Sequence, residues 1–395
     1  MIRLLLILLC LASPVAAESL SGIVRWEGEK TIKEMLRVES GAELTIASGS
    51  VIHLQRGGLE ISGRLIVSGV TFEGSGGNGI ILKNSDASVI EKSTLRGFRT
   101  ALEVFGGAPQ LHQLKLEENE VGIELRQKSA AAISDCRFNN NHKVGLFVKD
   151  ESTPQVTGNT FSGTGRFGAY LYRATPRLFS GNRFEKNATG LAISHYGSDG
   201  EIISNHFYGN EVGILVDRAA RPTLRENTLS QNTIGLRLEK RADAEIHGNR
   251  LSRNETAIFV AFSSYPQIHG NDLAENGMAL KLEHQSSTWE RERGSSMRQQ
   301  KSRSGGVFAG RQGGSEVTES MRAPQEMDGT VDARNNWWGD VGQKELKGLP
   351  GEGNPTFIFD GRDVATFSEG GKDYPLDTVR FSPWLSTNPL ADKDL

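Results

Sequence analysis

Aromatic and basic side chains recur at matching places in the middle of the chain. Phe147 and Tyr170 lie 23 residues apart, and so do Lys149 and Tyr172. Aromatic faces stack on sugar rings, and cations pair with the carboxylates of uronic acids. These residue types predict a polysaccharide-binding surface that consists of Phe147, Lys149, Tyr170, Tyr172, Arg173, His195, Tyr196 and Arg126.

The same residues leave a catalytic alternative open. A polysaccharide lyase or epimerase needs a base and an acid that reach the same sugar. Lys149 or Arg173 would be the base, and Tyr172 or His195 would be the acid. Residue types alone do not decide between binding and catalysis, so catalytic residues stay unassigned.

Two histidines form the one weak metal candidate. His247 and His269 each stand in an Ile-His-Gly-Asn segment, 22 residues apart. Two imidazoles at neighbouring repeat positions would supply two of the ligands that a metal site needs, but no third Cys, His or carboxylate follows in the same register. We interpret both as solvated turn residues and expect neither a metal nor a cofactor.

Cysteine usage predicts no internal disulfide. Cys10 lies in an apolar run near the amino terminus that reads as part of a signal peptide, so cleavage leaves Cys136 alone. A single cysteine cannot bridge within the chain. We expect Cys136 to be a small buried hydrophobic residue and not a reactive thiol.

A small residue followed by an apolar-x-apolar triplet recurs ten times, at intervals of 21 to 23 residues. Each triplet alternates inward and outward side chains, which is the period of a β-strand. A triplet is too short to fold alone, so neighbouring copies must stack and share a core. The copies begin at Gly79, Ala101, Gly122, Gly145, Gly168, Gly190, Gly213, Gly235, Ala257 and Ala279.

The alternation predicts which side chains share the outer face. The triplet middles form one row, made of Ile81, Glu103, Glu124, Phe147, Tyr170, Ala192, Leu215, Arg237, Phe259 and Lys281. Two residues further on, a second row contains Phe105, Arg126, Lys149, Tyr172, Ser194, Asp217 and Glu239. Stacked strands lie about 4.8 Å apart, so the aromatic residues are predicted to cluster.

Asparagines recur in phase with the triplets. Buried turn asparagines hydrogen-bond the backbone of their own turn and the equivalent asparagine of the next copy. We predict a structural ladder of Asn159, Asn182, Asn205, Asn227, Asn249 and Asn271, each followed two residues later by Phe or Leu. A second series contains Asn187, Asn210, Asn232, Asn254 and Asn276.

The triplets and asparagines together resemble the right-handed parallel β-helix of the pectate-lyase-like superfamily. Over roughly residues 20–340, the pattern is most similar to NosD-like copper-maturation proteins of the periplasm and to carbohydrate-binding β-helix repeat proteins. The resemblance implies an all-β chain, a single-stranded right-handed parallel β-helix (solenoid) of about 12–13 coils with N- and C-terminal caps. It implies no particular activity, because one fold hosts many functions.

The catalytic motifs of related β-helix enzymes are missing. The chain has neither the aspartate motifs of polygalacturonases nor the Asp-Pro-His-Asp of alginate epimerases. It also lacks a stacked carboxylate cluster of the kind that holds Ca²⁺ in pectate lyases.

Five segments follow from composition. They are a signal peptide (1–17), an N-terminal cap with short first coils (18–75), the regular repeats (76–284), a flexible polar insertion (285–327), and a final coil with the C-terminal cap (328–395). The ladder is expected to resume at Asn335, which makes the insertion about 42 residues long. The signal peptide predicts export to the periplasm or the outside, with no transmembrane segment after cleavage.

The charge balance helps to limit the partners. Lys and Arg number 45 against 48 Asp and Glu, a net charge of −3, which does not favour nucleic acid. We predict an exported scaffold that binds polysaccharide without catalysis. The alternatives are a lyase or epimerase acting on uronate-containing glycan, and a NosD-like envelope maturation factor that docks a protein partner through residues 285–327.

Overall fold

The computed structural model describes residues 18–55, 57–294, 327–349 and 353–391. The described chain is a parallel β-solenoid of about 12 turns, which confirms the predicted fold class, and only 5% of it is helix. Most turns contribute one strand to each of three sheets. The predictions for residues 1–17, and for residues 295–326 of the expected insertion, lie outside the described residues.

Sheet A carries the apolar-x-apolar triplets, and its central strands are six residues long. Its 14 strands, in spatial order, are β1 (Glu18–Leu20), β4 (Leu36–Val38), β7 (Leu59–Ile61), β10 (Asn78–Lys83), β13 (Thr100–Phe105), β16 (Val121–Arg126), β19 (Val144–Lys149), β22 (Phe167–Tyr172), β25 (Thr189–Ser194), β28 (Val212–Asp217), β31 (Ile234–Glu239), β34 (Thr256–Ala261), β36 (Met278–Glu283) and β38 (Ile358–Phe359). All neighbours in this sheet pair in parallel, as a solenoid requires.

Sheets B and C are built mainly from three-residue strands. Sheet B contains β2 (Ile23–Trp26), β5 (Glu43–Ile46), β8 (Arg64–Ser68), β11 (Val89–Glu91), β14 (Gln110–His112), β17 (Ala132–Ser134), β20 (Gln155–Thr157), β23 (Leu178–Ser180), β26 (Glu201–Ile203), β29 (Thr223–Arg225), β32 (Glu245–His247) and β35 (Gln267–His269). Sheet C contains β3 (Glu29–Ile32), β6 (Val51–Leu54), β9 (Thr71–Gly74), β12 (Thr94–Arg96), β15 (Lys115–Glu117), β18 (Arg137–Asn139), β21 (Thr160–Ser162), β24 (Arg183–Glu185), β27 (His206–Tyr208), β30 (Thr228–Ser230) and β33 (Arg250–Ser252).

Close packing inside the coil explains the small residue at the head of each triplet. A Cβ atom at Gly168 would lie 2.6 Å from the carbonyl oxygen of Gly190 and 2.9 Å from the ring of Phe184. Phe184 belongs to a column of stacked rings in the core, with neighbouring centroids 4.5 to 4.7 Å apart. Because the column fills the space behind sheet A, a larger residue at Gly168 would displace backbone as well as a ring.

The asparagine ladder runs through the buried turns. Asn182 Nδ2 donates to Asn205 Oδ1 at 3.0 Å and to the carbonyl oxygen of Val156 at 2.9 Å. The same pairing continues to Asn271, whose Nδ2 donates to Asn336 Oδ1 at 2.9 Å. The ladder therefore resumes at Asn336, and the expected position, Asn335, instead adopts a left-handed conformation with φ of 58°.

After β36 the chain leaves the repeats, and the residues that follow pack against the last coils. A short helix, α1 (Ser287–Trp289), leads into a π-helical turn (Glu290–Gly294). Gln285 and Glu290 are fully buried, and Asp377 accepts hydrogen bonds from Tyr265 Oη and the Ser287 amide at 2.9 Å each. The first residues of the predicted flexible insertion are therefore packed against the last coils, because buried acceptors form hydrogen bonds with their backbone amides.

The remaining elements form the C-terminal region. Helix α2 (Gly339–Gly348) follows the last ladder asparagine, and strands β37 (Thr330–Asp332) and β41 (Thr378–Arg380) pair in parallel. Strands β39 (Thr366–Glu369) and β40 (Lys372–Pro375) form an antiparallel hairpin. No helix within the described ranges is long and apolar enough to cross a membrane.

Candidate functional site on the outer face of sheet A

Strand pairing aligns the outward side chains of sheet A in two rows. Glu103 pairs with Glu124, Glu124 with Phe147, and Phe147 with Tyr170, on four successive strands. In the second row Tyr172 pairs with Ser194 and Ser194 with Asp217. Both rows are those that the triplet alternation predicts.

The aromatic residues form one continuous surface on this face. Phe147 and Tyr170 stack with centroids 5.1 Å apart and an angle of 2° between their planes. The Tyr170 and Tyr172 rings meet edge-on with centroids 6.1 Å apart. The Phe167 ring is tilted against Tyr170, with centroids 4.9 Å apart. All four rings are partly exposed, so their outer parts remain available to a ligand.

A hydroxyl and an imidazole adjoin the aromatic surface in the next coil. Ser194 Oγ lies 2.8 Å from His195 Nδ1, and the His195 ring lies 4.5 Å from that of Tyr172. Burial raises the pKa of Tyr170, and the hydrogen bond with Ser194 opposes this shift. His195 adopts φ of 74° at the turn, and Tyr196 follows it, half-buried. Ser194 was not among the predicted site residues.

The predicted basic rim is largely neutralised by one carboxylate. Lys149 Nζ lies 2.6 Å from Glu124 Oε1, and Arg126 Nε lies 3.1 Å from the same oxygen. Lys149 is also 4.9 Å from the centre of the Phe147 ring. Arg173 is exposed and lies 5.4 Å from the Tyr172 ring. Two of the three expected cations therefore serve an ion-pair cluster, which the outward pattern alone does not reveal.

Glu103 stands beside this cluster. It is only 9% exposed, yet its carboxyl group forms no ion pair with the described residues. Burial, and then the negative charge of Glu124, raise the pKa of Glu103, against the opposing charges of Arg126, Arg99 and Lys149. A carboxyl group in such a place holds its proton to a higher pH than a carboxyl group in water does.

The weak metal candidate gains no further ligand. The His247 and His269 rings stack with centroids 5.5 Å apart. A small pocket beside them is lined by His269, Asp332 and Arg334, but Arg334 binds Asp332 at 2.7 Å. Across the residues that the structure describes, no group of three or more His, Cys, Asp or Glu side chains could hold a metal ion.

Cys136 is a core residue. Its side chain is 1% exposed, and burial raises the pKa of the thiol to about 12. A thiol in this state is not a nucleophile near neutral pH.

The repeat architecture places the chain in a known family. The family model described as a right handed beta helix region matches residues 55–199 and 147–292, which is more than half of the chain. The chain belongs to this right-handed β-helix family. No curated protein matches its sequence.

Two solved structures are similar to this chain to different degrees. A double mutant of the periplasmic alginate epimerase AlgG is similar with a TM-score of 0.55 and 12% identity, over 65% of this chain and 76% of that one. The catalytic domain of a GH87 α-1,3-glucanase in complex with tetrasaccharides has a TM-score of 0.40 and 11% identity, over 67% of this chain and 60% of that one. At 12% identity the first likeness concerns the fold alone.

Sequence reasoning missed Glu103 and Glu124 as a pair. Both appear in the predicted outward row, but their importance depends on which of them binds Lys149 and Arg126. A signal was present, because two like charges at directly paired positions are unfavourable unless something compensates for them.

Proposed function

We propose that this protein binds polysaccharide on the outer face of sheet A. The observation that carries the proposal is the row of stacked and partly exposed rings that Phe147 and Tyr170 form on this face. Apolar faces of sugar rings pack against aromatic side chains, and Tyr hydroxyls hydrogen-bond sugar hydroxyls. Support also comes from the architecture, since a similar solved structure is that of an alginate epimerase.

The geometry favours a glycan that runs parallel to the solenoid axis. Successive strands rise by about 4.8 Å, close to the length of one sugar residue in an extended glycan. A chain that crosses Phe147 and Tyr170 then reaches Tyr172 and Arg173 on one side and Glu124 on the other. Export of the protein, which would place it where such polysaccharides occur, is part of this proposal.

The test is a glycan-array measurement with the full chain and the double variant Tyr170→Ala/Tyr172→Ala. Loss of two stacking rings is expected to weaken binding at least tenfold, at about 1 kcal/mol for each aromatic contact. Tyr208→Ala is the matched control, because Tyr208 is 38% exposed on sheet C, away from this face. Absence of binding to every glycan, or equal binding by the double variant, would contradict the proposal.

A second candidate is a lyase or epimerase acting on uronate-containing glycan. The contact that favours it is the Ser194–His195 hydrogen bond beside Tyr172, because an oriented imidazole next to a phenol suits proton transfer. Lys149 is a poor base in this scheme, since it binds Glu124 at 2.6 Å. Unsaturated uronate ends, or exchange of the sugar C5 proton with solvent deuterium, would identify this activity.

A further inference from the structure

Two carboxyl groups sit side by side at the edge of the aromatic surface. Glu103 and Glu124 occupy directly paired positions on β13 and β16, and the residues that flank them are buried in the core: Leu102, Val104, Ile123 and Leu125. The two glutamates therefore leave the same face of sheet A from strands about 4.8 Å apart.

The surroundings of the two carboxyl groups are opposite. Glu124 Oε1 receives both Lys149 Nζ and Arg126 Nε, so two cations balance the charge of this carboxylate. Glu103 has no such contact in the described chain and is nine-tenths buried. Pairs of titratable groups whose environments differ in this way divide into an acid and a base.

The pair also lies in line with the ring surface. The outward row runs Glu103, Glu124, Phe147, Tyr170 on consecutive strands. A glycan that lies against the two rings and extends along the row therefore carries its next sugars over Glu124 and Glu103. The glycosidic bond at that point faces both carboxyl groups.

We propose that Glu103 and Glu124 are the general acid and the nucleophile of a retaining glycoside hydrolase centre that acts on the polysaccharide bound at Phe147 and Tyr170. This inference rests on the proposed polysaccharide binding. The substrate class is a glycan with an ordinary acetal linkage. Retaining enzymes hold their two carboxyl groups about 5 Å apart, which fits neighbouring strands, whereas inverting enzymes leave room for a water between them.

The first chemical step breaks the bond between the anomeric carbon and the glycosidic oxygen. Glu103 transfers its proton to the departing oxygen, which leaves as a hydroxyl group on the released part of the glycan. Glu124 donates an electron pair to the anomeric carbon and forms a glycosyl ester. Lys149 and Arg126 hold the Glu124 carboxylate through Oε1, so Oε2 is the oxygen that these two contacts leave for the attack.

The second step consumes one water molecule. The Glu103 carboxylate takes a proton from this water, whose oxygen attacks the anomeric carbon and breaks the ester to Glu124. The sugar leaves with a new reducing end and its original anomeric configuration. Both glutamates return to their starting protonation states, so the sum of the two steps is hydrolysis.

The test incubates the full chain with four probes: alginate, polygalacturonate, carboxymethyl cellulose and a soluble β-glucan. Reducing ends and binding are measured together for the wild type, Glu103→Gln, Glu124→Gln and Glu239→Gln. The two site variants are expected to bind the probe as before but to release reducing ends 10²- to 10⁴-fold more slowly. Glu239→Gln is the matched control, because Glu239 is a buried, ion-paired carboxylate of the same sheet face.

The anomeric configuration of the first product provides a second readout. Retention, read from the anomeric proton resonances, supports Glu124 as nucleophile, and inversion overturns that role. Glu103→Asp guards against a folding defect, since it keeps a carboxyl group and is expected to recover part of the rate. Binding of a probe without new reducing ends overturns this inference and leaves the proposed binding intact. Release of unsaturated ends overturns it in favour of a lyase, and absence of binding to all four probes overturns both.

Discussion

Sheet A contains two pairs of like charges at neighbouring positions, and they differ in how the charges are balanced. In the first pair, Glu124 has two cationic partners and Glu103 has none in the described chain. The second pair is Asp217 and Glu239, which occupy paired positions on β28 and β31. Arg218 Nε lies 3.6 Å from Asp217, and Glu239 binds Arg237 at 2.9 Å and Lys240 at 2.5 Å. Since both pairs lie on the same face of the same fold, the architecture does not require the imbalance at Glu103.

The difference separates a structural role from a functional one. Like charges at paired strand positions oppose folding, and ion pairs compensate for them at Asp217 and Glu239. At Glu103 the described chain provides no ion pair, and the charges of Arg126, Arg99 and Lys149 offset the cost only in part, as at many sites where stability is exchanged for activity. The comparison therefore predicts that equivalent substitutions in the two pairs have different, and in one case opposite, effects.

The largest difference in stability is expected when the lysine that binds each acidic pair is replaced. Lys149→Met takes a partner from Glu124 at a place where the two side chains are only 16% and 13% exposed. We expect a loss of roughly 1–3 kcal/mol in the free energy of unfolding, because a buried charge loses its closest partner. Each glutamate keeps a second partner, Arg126 or Arg237, but Lys240 is 47% exposed and solvent screens its charge, so Lys240→Met should cost less than about 1 kcal/mol. Urea unfolding of both variants measures this, and equal losses would remove the distinction between the pairs.

Glu239→Gln should destabilise the protein near neutral pH. Burial alone would raise the pKa of Glu239, but the hydrogen bond from Lys240 and the charge of Arg237 outweigh it and lower that pKa below 4.5. A carboxyl group with a lowered pKa stabilises the fold above 4.5 and loses this contribution as the pH falls through its folded-state pKa. We expect a deficit of roughly 1–2 kcal/mol at neutral pH that shrinks in acid. Unfolding measured across this range checks it, and a deficit that grows in acid would be the wrong sign.

Glu103→Gln should have the opposite effect, and a smaller one. The raised pKa of Glu103 means that the folded protein holds a proton which the unfolded chain releases above 4.5. Stability from this group is therefore complete below 4.5 and is lost as the pH rises through the raised value. The variant should match the wild type in acid and gain a few tenths to about 1 kcal/mol at neutral pH. Thermal unfolding at both pH values measures the gain, and a variant less stable than the wild type at neutral pH would place Glu103 with the structural carboxylates.

The fold could be predicted because its signal repeats. Each triplet specifies little, but the ten that begin at Gly79 and end at Ala279 share one phase, and stacking is the arrangement that buries all of them. The same periodicity predicted which residues share the outer face, since side chains of a strand alternate strictly. It failed where the phase is interrupted, and Asn336 instead of Asn335 continues the ladder after the long connection.

The site could be predicted only as a set of neighbours. The sequence by itself determined the solenoid, the two outward rows and the aromatic cluster, because these depend on the regular spacing of the repeats in the sequence. Only the tertiary structure decided that Lys149 and Arg126 bind Glu124, while Glu103 is buried and forms no ion pair with the residues that the structure describes. The physical reason is that a long charged side chain reaches several neighbours on adjacent coils. Which of these neighbours the side chain binds depends on rotamers and burial, and the repeat does not encode either of them.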